Sequence, residues 1–142
     1  MKSTHGRTTA FLLTLLLSIS VIGCSSGDDG NLGSVSGTVT LDGKPYPGAV
    51  VTFTPSNNQG RPSKGLTDES GQYELIYIRT TRGAEKGDHR VRITTLPPSG
   101  PPEVVSKIKF KETVPKKYNT RSELTATVES GSNEINFELD SK

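Results

Sequence analysis

His89, in the run Gly87-Asp88-His89-Arg90, is the only imidazole past the first 23 residues. One imidazole cannot complete a structural zinc site, which takes four ligands. Asp88 beside it could orient the ring, but no nucleophile follows for the pair to activate, so His89 reads as packing at a strand edge. The concentrated basic feature is the run Lys107, Lys109, Lys111, Lys116 and Lys117. It reads either as a stripe docking an anionic partner, such as an acidic glycan or lipid headgroups, or as lysines guarding an exposed edge strand against pairing. Arg79, Arg82, Lys86, Arg90 and Arg92 offer a second basic patch, diluted by Glu85 and Asp88. Tyr46, Tyr73, Tyr77 and Tyr118 could line a sugar-stacking platform. There is no Trp to strengthen it, and strand alternation turns Tyr73 and Tyr77 inward. No catalytic constellation and no cofactor motif emerges, and the chain reads as a non-enzyme.

The remaining reactive side chain is Cys24, the single cysteine, so no disulfide can form within the chain. Lys2 and Arg7 give a positive start, and the run from Ala10 to Ile22 is apolar and Leu-rich. That run falls short of the roughly 20 residues that span a bilayer as a helix, but it suits the apolar core of a signal peptide. Val21-Ile22-Gly23-Cys24 at its end is similar to a bacterial lipobox, which implies a diacylglyceryl group on Cys24. Each buried methylene contributes ~0.8 kcal/mol, so two or three acyl chains would hold the protein on a membrane. Ser25 follows in place of the Asp that retains some such proteins at the inner membrane, and this points to the outer membrane.

Lys2 and Arg7 leave with residues 1–23, and the 15 basic residues that remain balance the 15 acidic ones. The mature chain is formally neutral, which removes the electrostatic case for nucleic-acid binding. Residues 24–33, with Gly27, Asp28, Asp29, Gly30 and Gly33, read as a flexible polar tether. Asp28 and Asp29 start no calcium-loop pattern. Residues 34–142 suit one domain with a single core.

Within that domain, short alternating runs separate at turn signals. Strands are predicted over Val35–Leu41, Ala49–Thr54, Lys64–Asp68, Tyr73–Ile78, Asp88–Thr95, Leu124–Glu129 and Glu134–Leu139. Ser106–Lys111 also alternates, Lys with apolar, and is the edge strand that the basic run would guard. Asp68 and Gly71 in Thr67-Asp68-Glu69-Ser70-Gly71-Gln72-Tyr73 carry the chemistry of a tight hairpin turn. The Asp68 carboxylate can accept backbone N–H groups, and Gly71 can take the left-handed conformation. Seven strands and no helical period after the N-terminal segment predict an all-β sandwich.

The pattern Gly37-x-Val39, Gly43-Lys44-Pro45-x-Pro47-Gly48-Ala49-x-Val51, Thr67-Asp68-x-x-Gly71-x-Tyr73 and Gly87-x-His89-x-Val91-x-Ile93 resembles a carboxypeptidase regulatory-like domain of the transthyretin-like type. Val114-Pro115-Lys116-Lys117-Tyr118-Asn119, Leu124-x-Ala126-x-Val128 and Asn133-x-Ile135-x-Phe137 extend the likeness, over about Ser34–Leu139, to small bacterial lipoproteins carrying this one domain. The resemblance implies a seven-stranded Ig-like sandwich that serves as an accessory or interaction module. Transthyretin-related hydrolases use two His, an Arg and a C-terminal Tyr-Arg-Gly-Ser, whereas this chain ends Leu139-Asp140-Ser141-Lys142. The expectation is a non-catalytic envelope module, tethered to the membrane, meeting an envelope protein or polysaccharide. The alternative is a carbohydrate-binding module.

Overall fold

The ten-residue strand β1 (Leu32–Leu41) organises the chain, because no other strand pairs along so many neighbours. The computed structural model describes residues 30–57 and 59–142. Cys24, the signal segment and residues 24–29 of the tether lie outside them. After β1 come β2 (Lys44–Pro45), β3 (Ala49–Pro55), β4 (Ser63–Leu66), β5 (Gln72–Glu74) and β6 (Ile76–Ile78). Then follow β7 (Thr81–Arg82), β8 (Ala84–Glu85), β9 (Gly87–Thr95) and the single turn of helix α1 (Pro102–Val105). The chain closes with β10 (Thr125–Val128), β11 (Gly131–Glu134) and β12 (Phe137–Leu139).

These segments build two facing sheets, a β-sandwich. In the first, β1 takes β11 and β12 in parallel on one side and β8, β5 and β2 antiparallel on the other. The second is antiparallel throughout, in the order β10-β9-β3-β4-β6-β7. Alternation dictates which side chains meet between them. Val35, Val39, Tyr73, Phe137 and Leu139 come from one sheet, and Val51, Phe53, Val91, Ile93 and Val128 from the other. Phe53 meets Phe137 edge-on at 6.2 Å, and Tyr73 stacks on Phe137 at 6.3 Å, so the rings tie the two layers together. Among the described residues no helix is long and apolar enough to cross a membrane.

Several expectations change. β1 starts at Leu32, so the last two residues assigned to the tether belong to the sheet. Tyr73–Ile78 is not one strand. β5 pairs with β1 in the first sheet and β6 with β4 in the second, and the fully buried Leu75 sits at the crossing. Its N–H donates to Val35 O at 2.9 Å and its carbonyl accepts from Gly83 at 2.7 Å. A continuous ladder in either sheet would leave the other short of a strand. The Asp68–Gly71 turn has the expected local chemistry, but it carries the chain from β4 to β5, hence between sheets, and those strands share no ladder.

The predicted strands Leu124–Glu129 and Glu134–Leu139 leave Ser130–Asn133 as their connection, yet Gly131–Glu134 forms β11 beside β1, and the last strand divides at Ile135-Asn136. Gly37 explains the division. A Cβ there would lie 1.8 Å from the Ile135 carbonyl oxygen, so only a bare glycine lets the two backbones pass this closely. Asn136 Oδ1 then accepts the Thr38 N–H at 2.7 Å, in place of a ladder bond. Ser106–Lys111 is not a strand. The four prolines around Leu96–Pro102 and the helical turn at Pro102–Val105 lead it away from both sheets, so there is no edge strand for its lysines to guard.

Candidate functional site

The segment between β9 and Val114 leaves the sandwich as a loop with its ends drawn together. Glu112 closes it. One carboxylate oxygen accepts the Thr95 N–H at 3.0 Å, the Thr95 hydroxyl at 2.6 Å and the Val114 N–H at 2.8 Å. The Tyr46 hydroxyl bonds those of Thr95, at 3.2 Å, and Thr113, and Leu96 N–H donates to Gly48 O at 2.8 Å. Past the closure Val114 is buried, and Asn119 Nδ2 donates to its carbonyl at 2.7 Å. A surface loop of this length with joined ends has the form of an Ω-loop, a device that often carries function.

Between Pro97 and Lys111 every backbone hydrogen bond runs to another residue of the loop, including Ser106 N–H to Pro102 O at 3.0 Å. Nothing from this stretch enters the core. Four of the six large apolar side chains exposed among the described residues belong to the loop: Leu96 at 48%, Val104 at 51%, Ile108 at 47% and Phe110 at 47%. Lys107, Lys109 and Lys111 alternate with Ile108 and Phe110, and among the described residues none of the three side chains makes an ion pair or a hydrogen bond. The only salt bridge found there joins Arg82 Nε to Glu74 at 3.4 Å. The loop therefore offers water a mixed apolar and cationic surface. The loop carries one carboxylate of its own, the exposed Glu103 on α1, and the carboxylate of Glu112 is taken up by its bonds to Thr95 and Val114.

The five lysines of the sequence motif separate into two groups. Lys116 and Lys117 lie on a 3₁₀ turn, Lys116–Tyr118, after the closure. Lys117 Nζ donates to Lys142 O at 2.6 Å and sits 5.0 Å from the centre of the Tyr118 ring, so it serves the C-terminal tail. Asp42 fastens the same tail by accepting the Ser141 N–H at 3.0 Å, a bond that holds its carboxyl below the usual range.

The other sequence candidates are absorbed by the fold. His89 is not at a strand edge. It is buried on β9 between Pro55 of β3 and Ala126 of β10, with Nδ1 on Gly87 O at 3.0 Å and its ring 5.7 Å from that of Phe53. Asp88 does not orient it, because Asp88 accepts the Thr127 hydroxyl at 2.6 Å instead. At the turn, Asp68 Oδ1 accepts the N–H groups of Ser70 at 2.8 Å and Gln72 at 3.0 Å, and Gly71 has φ +74°. The four tyrosines form no platform. Tyr73 is buried with its hydroxyl donating to Ile135 O at 2.8 Å, and burial raises its pKa. Tyr77 O–H donates to Glu85 at 2.8 Å, which raises its pKa too. Tyr46 is spent on the loop closure, and Tyr118 accepts the Asp140 N–H at 3.1 Å. Lys86 donates to Gly30 O at 2.7 Å.

Reasoning from sequence missed Glu112 and the apolar members of the loop. The alternation of Ser106–Lys111 reads as an edge strand with its lysines as the feature of note, so it does not single out Ile108 and Phe110. The prolines before it were the available signal.

Tyr46 also locates the loop. Its N–H donates to Val39 O at 2.9 Å near the C-terminal end of β1, while its hydroxyl reaches Thr95. The loop thus leaves from the end of the sandwich opposite Leu32, roughly 25–30 Å along β1 at ~3.3 Å per residue.

What fold and site define together is an all-β sandwich presenting one cationic, apolar loop. No protein-family model and no curated protein sequence matches the chain. Among solved structures it is similar to a DUF3823 family protein from Parabacteroides merdae, with 14% identity over 76% of this chain and a TM-score of 0.39. The chain spans 45% of that protein's length.

Proposed function

We propose that the protein is a lipid-tethered, non-catalytic sandwich of the bacterial envelope, a carboxypeptidase regulatory-like domain that works by contact. Val21-Ile22-Gly23-Cys24 supplies the tether in this reading, with an acyl group on Cys24 and an outer-membrane destination. The observation that carries the contact role is the closed loop, whose Leu96, Val104, Ile108 and Phe110 are four of the six large apolar side chains left about half exposed among the described residues. Single exposed apolar side chains are ordinary on a folded domain, but several gathered on one loop are characteristic of an interaction surface. The carbohydrate alternative has less support, since the tyrosines are engaged elsewhere and Phe110 alone is left to stack on a sugar.

Expression of the full chain in a bacterium tests the tether. The wild type should sediment with membranes and yield an N-terminal peptide heavier by its acyl groups. Cys24→Ala should do neither, and membrane retention of that variant with an unmodified wild-type cysteine would end the proposal.

A further inference from the structure

We infer that the loop closed by Glu112 is a membrane-contact element, and that Lys107, Lys109 and Lys111 with Val104, Ile108 and Phe110 engage the anionic lipid surface carrying the anchor. This deepens the proposed function and rests on it. Two independent features of the loop point to lipid. Its apolar side chains are exposed at 47% to 51%, and the lysines between them have no carboxylate partner among the described residues. Lysine stems lie along an apolar boundary while the ammonium groups reach phosphate, so such interleaving matches the layer between headgroup and acyl chain. A lipid surface also requires no shaped recess, only an accessible face, and the backbone of the loop between Pro97 and Lys111 bonds only within the loop. A second copy of the chain fits poorly, because the same three cations would face themselves. An acidic polymer would satisfy the lysines and leave Ile108 and Phe110 in water.

Proximity decides which bilayer. Leu32 lies eight positions after Cys24, a reach of at most ~28 Å, so a tethered domain meets its own membrane at high effective concentration. The loop lies at the far end of β1 from Leu32, so both contacts together lay the sandwich lengthwise on the surface.

The chain has no Trp, which makes Phe110→Trp a sole reporter. The lipidated full-length protein carrying it would be reconstituted into phosphatidylethanolamine vesicles with and without phosphatidylglycerol. Expected are a blue-shifted emission only with the anionic lipid, loss of the shift in high salt, and a roughly hundredfold lower inserted fraction after Lys107→Gln/Lys109→Gln/Lys111→Gln. Emission unchanged from water in every vesicle would overturn the inference while leaving the tether intact. Vesicle clustering that accompanies the shift would assign the loop to an apposed bilayer, and a shift produced by soluble polyglutamate would assign it to an acidic polymer. Either result overturns the assignment made here. Wash-off from the neutral vesicles would sink the tether alone, since the emission with anionic lipid still reports whether the loop meets lipid.

Discussion

Replacing Gly71 with alanine separates two costs that glycine usually hides together. Gly71 has φ +74°, and an alanine held in that region loses roughly 1–2 kcal/mol. Its Cβ would also stand 2.5 Å from the Val39 carbonyl oxygen. That oxygen cannot retreat freely, because it accepts the Tyr46 N–H at 2.9 Å, and Val39 N–H donates to Gly71 O at 2.8 Å. Forcing the atoms apart should cost a further 1–3 kcal/mol or so, the range for overpacking a tight site. Gly43 is the matched control, with φ +75° and nothing within 4 Å of its Cβ. Gly43→Ala should therefore lose ~1–2 kcal/mol and Gly71→Ala ~2–5 kcal/mol, each less a few tenths for the stiffer unfolded chain. Urea unfolding followed by circular dichroism measures both, and the excess should appear as a lower midpoint at constant slope. If Gly71→Ala loses no more than Gly43→Ala, the turn is not wedged against β1 and the account of this corner is wrong.

Tyr73→Phe should cost ~1–2 kcal/mol, because the Ile135 carbonyl loses its 2.8 Å donor in a crowded place. The same change should alter the alkaline limb. The folded state raises the Tyr73 pKa by burial, so this component of stability is complete below the ordinary value of 10.0 and is lost as pH rises beyond it. Unfolding midpoints measured from pH 8 to 11, a range set around a phenol titrating at about 10, should fall less steeply in Tyr73→Phe; parallel curves would contradict this. Tyr77, raised by its bond to Glu85, leaves a residual slope. Glu112→Ala should open the loop by freeing the Thr95 and Val114 donors, at ~1–2 kcal/mol of stability. Trypsin should then cut at Lys107–Lys111 faster than in the wild type, and equal cleavage rates would show that the closure lies elsewhere.

Much of the architecture is legible in the order of residues. Period-two alternation at Val35/Val39, Val51/Phe53 and Val91/Ile93 names the inner faces of a sandwich, since an apolar side chain on every second residue can be buried only by a strand with one covered face. Asp68 and Gly71 announce a turn, because the bonds that close it, from the N–H groups of Ser70 and Gln72 to Asp68 Oδ1 and from Gly71 N–H to Asp68 O, are local. What the tertiary structure decided is where alternation stops being a guide. Leu75 alternates correctly, yet the chain changes sheets there, because a strand's partner is chosen by distant residues. Ser106–Lys111 alternates as well as any strand, but prolines on one side and the Glu112 closure on the other deny it a neighbour. A strand without a neighbour has no ladder to satisfy its backbone, so the segment becomes a loop, and side chains patterned for a core end up facing water.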